Sequence, residues 1–344
     1  MKQTAIVILN WNGKKLLEQF LPSVLQHTPA DEADIIVADN GSTDDSIAFL
    51  QTNYPSVIVH VLGENYGFAE GYNRALAGLD YPYVVLLNSD VEVSPDWFRS
   101  AIDYLEANQN ITALQPKILS YRHPAEFEYA GACGGFLDRN GYPFCRGRIL
   151  NTVEMDAGQY DRPVQIFWAS GACLFIRLLD FKEAGGLDAR FFAHQEEIDL
   201  CWRLNARGKK IVCLPQSVVY HVGAATLKKN NPQKEYLNFR NNLLMLYKNL
   251  PHPYYSRIMR TRLFLDYLSV FHYLLKGQWA SAKAIYKARC DFRRMKAEYI
   301  TIRRENLAKS QVEIPDTLLP QNLIWEYYIK GKKKFSQYAK RTIG

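Results

Sequence analysis

The chain has 344 residues, of which 48% are hydrophobic, enough for a substantial core and more than one average domain needs, so disordered and fibrous classes are excluded. The net charge of +7 conceals a split: residues 226–344 hold 24 Lys+Arg against 8 Asp+Glu, whereas residues 1–225 hold 18 against 27. Such asymmetry points to an acidic partner for the C-terminal part, either nucleic acid or an anionic membrane surface, with plain solvated helix faces as an equal alternative.

Met1-Lys2-Gln3-Thr4 leads into an apolar run without the features of a signal peptide, and secretion is not expected. Residues 5–9, 35–38 and 83–87 read as strands buried on both faces, with helical spacing between them, which implies parallel βαβ units. Each run ends in a polar cluster: Asn10-Trp11-Asn12-Gly13, then Asp39 through Asp44, then Asn88-Ser89-Asp90. Strands that point the same way gather these clusters at one edge, the carboxyl ends, where open α/β sheets bind ligands. Helices are expected over 14–27, 44–53 and 69–79, and a strand over 57–62. A further helix should begin with Ser94 as N-cap and Pro95 in its first position. Residues 120–163 lack a steady period and read as a loop-rich insertion near the site.

A strand over 164–176 and a helix over 178–184 come next, the helix closed by Gly185-Gly186. A second helix covers 195–206, followed by a strand over 210–214 and a strand-like 217–220 that closes on His221. From residue 231 the pattern is one of long helices, and the domain boundary is placed near residue 226. Residues 263–275 are apolar but short, and Asp266 and His272 interrupt them, so they suit lying on a membrane rather than crossing one. The six cysteines are scattered without zinc spacing, as expected of reduced thiols in a cytoplasmic protein.

Asp39 could accept a hydrogen bond from a base or ribose, though its segment is equally a good strand-to-helix turn. Asp90, at the end of a buried strand, suits a hard cation that also takes phosphate oxygens; a cap is the alternative. Glu196, Glu197 and Asp199 are more acids than one helix N-terminus needs, and mutual crowding raises proton affinity as a general base requires. His221 could join a carboxylate in a mixed metal site or be an ordinary strand-end histidine.

Taken together, residues 4–250 resemble the family 2 glycosyltransferases, inverting enzymes of the GT-A fold, and especially their bacterial rhamnosyltransferase-like branch. The segments that carry the resemblance are Ile6 to Asn12, Val37 to Asp44, Asn65 to Asn73, Leu86 to Asp90 and Phe191 to Arg203. It implies an α/β fold: a mixed, mostly parallel sheet with helices on both faces and an α-helical C-terminal extension. Residues 1–225 would be the catalytic domain, with a nucleotide-sugar half over 1–115 and an acceptor half over 116–225, and 226–344 the basic extension. Asn10, Asn12, Asp39, Asn65, Gly67, Asn73, Asn88 and Ser89 would bind the nucleotide sugar, Asp90 and His221 a Mn²⁺ or Mg²⁺ ion, and Trp168, Ser170 and Gly171 the acceptor. Glu197 would be the catalytic base with Glu196 as its rival, and Asp199 would position acceptor or base.

Asn88 replaces the first acid of the family's Asp-x-Asp motif, which throws metal binding onto Asp90. The Gln-x-x-Arg-Trp motif of processive relatives is absent, which implies transfer of one sugar per encounter. The implied reaction moves a sugar from a UDP or dTDP donor to a glycan or lipid-linked acceptor in bacterial cell-surface polysaccharide synthesis. The expected setting is cytoplasmic, with the C-terminal helices facing either an anionic membrane on its inner side or the catalytic domain alone, and with no nucleic-acid partner. Two rivals remain. A sugar-nucleotide pyrophosphorylase would need a Gly-rich, Lys-containing loop after the first strand, and a non-catalytic nucleotide-binding protein would leave the acidic helix unexplained.

Overall fold

Side chains alternate across a strand, so a run that is apolar at every position must be covered on both faces. The computed structural model, which describes residues 2–223 and 231–338, meets that demand with helices on either side of a nine-stranded sheet. In chain order its first half comprises β1 (Thr4–Asn10), α1 (Lys14–Gln26), β2 (Ala33–Asp39), α2 (Ser46–Asn53), β3 (Ile58–Val61), α3 (Gly67–Ala77), β4 (Tyr83–Asn88), β5 (Val91–Val93), α4 (Trp97–Ala107) and β6 (Ile111–Ser120). Ile6 and Ile8 pack with Leu17, Leu21 and Trp97 from α1 and α4, whereas Ala5 and Val7 pack with Ala69, Tyr72 and Leu76 from α3.

The expected loop-rich insertion over 120–163 instead carries four short strands, β7 (Gly135–Asp138), β8 (Pro143–Cys145), β9 (Arg148–Ile149) and β10 (Thr152–Val153). Strands of two to four residues are too short to show a period, which is why the sequence hid them. The expected strand over 164–176 is split into β11 (Val164–Gln165) and β12 (Cys173–Arg177), since residues 166–172 turn away between two different sheet partners. After α5 (Leu178–Ala184) and α6 (Glu196–Ala206), the two expected strands at 210–214 and 217–220 are one, β13 (Lys210–His221). Its register shifts between Leu214 and Val218, and that bulge accommodates Pro215, which has no N–H to give the ladder. Helix α4 begins at Trp97 rather than Pro95, because Ser94 is not its cap; its hydroxyl donates to the Val218 carbonyl at 2.8 Å.

Parallel pairing joins β1 with β2 and β4, β2 with β3, and β6 with β13, and β12 lies antiparallel between β4 and β6. Asn10 is level with Asp39, and Leu9 with Asn88, so the first three polar clusters do share one edge. The expected boundary near residue 226 lies outside the described residues. Beyond it come α7 (Pro232–Asn249), α8 (His252–Leu275), α9 (Trp279–Met295), α10 (Ile300–Ala308), β14 (Leu318–Leu319) and α11 (Leu323–Tyr328). Strand β14 pairs with β7, which completes a second sheet of five strands, so the C-terminal part is knitted into the middle of the chain.

Candidate functional site

Asn10, at the end of β1, donates from its amide to Asp39 at 3.0 Å and to the Ser42 hydroxyl at 3.2 Å, while Asp39 also accepts from the Ser42 N–H at 2.9 Å. The Asn12 side-chain oxygen accepts from the Thr43 N–H at 2.7 Å, which binds the first cluster to the second. The next loop is attached through Asn40, whose amide donates to the Gly67 carbonyl at 3.0 Å and whose oxygen accepts from the Tyr66 N–H. Asn65 caps that loop by accepting from the Gly67 N–H at 2.9 Å. Gly67 is required there, because its φ is +76° and a Cβ would stand 2.5 Å from the Phe192 ring. Ser89 faces the first cluster across Gly13, whose absent Cβ leaves room for the Asn10 side chain. The side-chain oxygen of Asn10 is buried without a partner, a polar atom free to meet a ligand.

Asp90 and His221 meet just beyond β4 and at the end of β13. His221 Nε2 lies 3.1 Å from Asp90 Oδ1 and 3.5 Å from the Asn88 amide, and its Nδ1 is 3.6 Å from Glu128 Oε2. Burial alone would discourage the imidazolium, but the flanking Asp90 and Glu128 carboxylates hold its proton and carry the pKa up to about 10. Among the described residues no three His, Cys, Asp or Glu side chains are grouped to hold a metal. With that proton displaced by a cation, the Asp90 carboxylate and the His221 imidazole nitrogen would fit a divalent ion that also takes phosphate oxygens.

A second wall is formed by the segment before α6. Phe192 sits at φ 64°, ψ −59°, the centre of a positive-φ γ-turn in which the Ala193 N–H donates to the Phe191 carbonyl at 2.8 Å. His194 and Gln195 follow at φ 70° and 74°, so three of four successive residues are strained. The Phe192 carbonyl accepts from the Phe68 and Ala69 N–H groups, which ties this wall to the donor-side loop. Glu196 and Glu197 open α6, and each keeps one buried carboxylate oxygen without a partner. Burial pushes Glu197 up to about 7, partly offset by the N–H groups of Glu197 and Ile198. Burial and the neighbouring Glu197 raise Glu196 well above the usual carboxylate range. Burial and nearby Lys234 bring His194 down to about 4, leaving a neutral imidazole with an unpartnered Nε2.

Other expected site residues are placed differently. Asp199 is wholly buried and accepts from Arg203 at 3.0 Å, Lys248 at 2.8 Å and Asn249 at 2.9 Å, an ion cluster behind the acidic turn. Asn73 exchanges hydrogen bonds with the Leu187 backbone at 2.8 and 2.9 Å and anchors α3 to the α5 turn. Trp168 lies in the core over Gly135, its indole donating to the Phe136 carbonyl at 3.0 Å. Ser170 donates to the Ala130 carbonyl at 2.5 Å, and Gly171 leaves space for the Phe68 ring. Residues 168–172 link the two walls, since the Ala169 N–H donates to Cys201 of α6 and the Ala172 carbonyl accepts from Asn88.

Several contributors were not foreseen. Glu128 comes from the segment without a period, and Asn40, Ser42 and Thr43 looked like turn residues. Asn241 of α7, fully buried, donates to the carbonyls of Phe191, Ala193 and His194 at 2.8–3.0 Å and holds the strained segment.

Residues 5–144 match the family model described as Glycosyl transferase family 2. The N-acetylglucosaminyl-diphospho-decaprenol L-rhamnosyltransferase of Mycobacterium tuberculosis is 29% identical over 241 residues, covering 63% of this chain and 75% of the relative. Rhamnosyltransferase WbbL of Escherichia coli is 24% identical over 267 residues, 74% of this chain and 96% of the relative. Among solved structures, GalNAc-T7 with UDP, GalNAc and Mn²⁺ superposes with a TM-score of 0.59 at 15% identity, covering 88% of this chain and 57% of that one. S. aureus TarS 1-349 in complex with UDP-GlcNAc gives 0.55 at 15% identity, with 90% and 89% covered. The mixed sheet is therefore of the GT-A type, and the chain is a glycosyltransferase whose residues 5–144 form a glycosyl transferase family 2 domain.

Proposed function

We propose that the protein transfers one sugar, with inversion, from a UDP- or dTDP-sugar to a hydroxyl of a glycan or lipid-linked acceptor in bacterial cell-surface polysaccharide synthesis. The nucleotide lies along Asn10, Asn12, Asp39 and the Asn65–Gly67 loop. Asp90 and His221 hold a Mn²⁺ or Mg²⁺ ion, which when bound neutralises charge on the diphosphate. Glu197 takes the acceptor hydroxyl proton as that oxygen bonds to the anomeric carbon from the face opposite the diphosphate, which leaves with the electrons of the broken C–O bond. Asp199 acts at one remove, by fixing the start of α6 through Lys248 and Asn249.

The observation that carries this reading is the start of α6, where Glu197 keeps an unpartnered carboxylate oxygen and is pushed up to about 7 by burial, on a segment tied through the Phe192 carbonyl to the N–H groups of Phe68 and Ala69. The names of the relatives favour a rhamnosyl donor and a diphospho-polyprenol acceptor. Such an acceptor would bring the enzyme to an anionic membrane from the cytoplasmic side. Residues 1–225 are read as the catalytic unit and 226–344 as an extension that buttresses it, in keeping with the Lys248 bridges to Asp188 and Asp199.

The test is a thermal-shift series with nucleoside diphosphates and nucleotide sugars, with and without Mn²⁺, followed by transfer assays. Dependence of the shift on nucleotide identity is expected, with a rise that scales as RT ln(1 + [L]/Kd). Absence of any shift, or full transfer by Glu197→Gln, overturns the reading.

A further inference from the structure

Helix α8 carries large apolar side chains around its circumference from Leu263 to Leu275, a pattern that ordinarily marks a helix covered on several sides. Here only one side is buried, by Ile258, Arg262 and Asp266, where Asp266 accepts from Arg262 and from Arg289 of α9. The opposite side lies open. Phe264, Tyr267, Leu268, Phe271 and Leu275 recur at spacings of three and four and share one arc, with exposures of 67%, 39%, 50%, 56% and 72%. Trp279 follows at 69%, and Tyr286 of the adjacent α9 adds an exposed ring at 54%. Single exposed apolar residues need no explanation, but a continuous row along about three turns does.

The surroundings of the row identify what covers it. Arg257 and Arg260 precede it on the same exposed arc, Lys276 ends it, and Lys283 and Lys287 flank Tyr286; all five are exposed. Over α8 and α9 the only acids are Asp266, fully buried, and Asp291, which accepts from Tyr236. Apolar and aromatic side chains within a basic collar are the composition of a helix that lies in the plane of an anionic bilayer. A second copy of the chain fits less well, since two-fold pairing would set one basic collar against another. Crossing the bilayer is not the mode, because no helix among the described residues is long and apolar enough.

We propose that the exposed face of α8, together with Trp279 and Tyr286, docks the protein on an anionic lipid surface. The docking serves the function proposed above, because the reverse side of α8 approaches α7 and, through it, the Glu128–His221 group of the candidate site. There Tyr273 lies near Glu235 of α7 and Tyr129, and Lys234 lies near Glu128. One helix diameter, about 10 Å, separates that group from the docked face. A lipid-linked hydroxyl would therefore be offered to the site from the surface on which the helix rests.

The experiment is flotation of the full chain with phosphatidylcholine vesicles with or without phosphatidylglycerol, for wild type and for the triple variant Phe264→Ser, Leu268→Ser, Phe271→Ser. Wild type should float only with the anionic vesicles, and the variant should partition at least about tenfold less while melting at the wild-type temperature. A second variant, Lys283→Gln with Lys287→Gln, should weaken flotation and lessen its salt dependence. Equal flotation of wild type and triple variant overturns the proposal. So does a wild-type dimer that the triple variant converts to monomer without a change in flotation. Stabilisation by nucleotide sugars, read without vesicles, should be the same in all variants, so failure of docking and failure of the transferase reading give different results.

Discussion

Asn241→Ala is the most informative single change, because it leaves every proposed ligand-binding and catalytic side chain in place. The two N–H hydrogens of the Asn241 amide are shared among the carbonyls of Phe191, Ala193 and His194, and the residue is wholly buried. At about 1 kcal/mol per donor hydrogen the amide supplies about 2 kcal/mol. Arg240, which donates to the Arg190 and Phe191 carbonyls, adds a similar amount of about 2 kcal/mol. Against this, Phe192, His194 and Gln195 hold positive φ at about 1 kcal/mol each or more. The Asn241 contribution is comparable to the strain it opposes, and losing it should let residues 192–195 relax and carry Glu197 away from the acceptor. We expect kcat for sugar transfer to fall by about two orders of magnitude, the range assigned to a displaced general base. The melting temperature should drop only a few degrees, since released strain offsets lost bonds. Asn241→Asp, equal in size but without donors, should behave at least as badly. Steady-state kinetics and a thermal melt are the assays; either variant with wild-type kcat refutes the reasoning.

The remaining expectations concern the carboxylates. Glu197 must be ionised to act as a base, so kcat/KM should rise tenfold per pH unit below about 7 and level off above it, and a profile flat from pH 5 to 8 would exclude it. The same raised affinity has a stability consequence. A carboxyl that binds its proton more tightly when folded contributes stability below about 4.5 and loses it as pH rises through about 7, so Glu197→Gln should melt higher than wild type at pH 8, by about 1–3 kcal/mol in stability. Asp90→Ala should abolish the Mn²⁺-dependent part of the thermal shift caused by nucleoside diphosphate, as titration calorimetry would confirm; undiminished Mn²⁺ binding would remove Asp90 from the metal site. Asp199→Ala should destabilise the fold by about 3–5 kcal/mol in urea unfolding, because Arg203 and Lys248 lose a buried counter-charge. An Asp199→Ala protein that unfolds like wild type but fails in catalysis would instead place that residue among the reacting groups.

Much of the fold is legible in the chain because it depends on local periodicity. β1, β2 and β4 are continuous apolar runs bounded by turn residues, and parallel pairing follows from the helices between them, so the shared edge of Asn10, Asp39 and Asn88 could be deduced before any coordinates. The acidic start of α6 was equally plain, since Glu196, Glu197 and Asp199 exceed what capping needs. What the residues could not give is which of these acids face a ligand. Asp199 and Glu197 differ by two positions and have the same kind of side chain, yet one is enclosed by Arg203, Lys248 and Asn249 and the other keeps an unpartnered oxygen.

That division has a single physical cause. Strand and helix formation, and the direction of a strand, are set by neighbours along the chain, so sequence determined the sheet edge and its polar clusters. Partner choice for a buried charge is set by whatever the rest of the molecule brings within hydrogen-bond or ion-pair reach. Only the tertiary structure could bring Asn241 to the γ-turn at Phe192, Lys248 to Asp199 and Glu128 to His221, across 47 to 93 positions of chain.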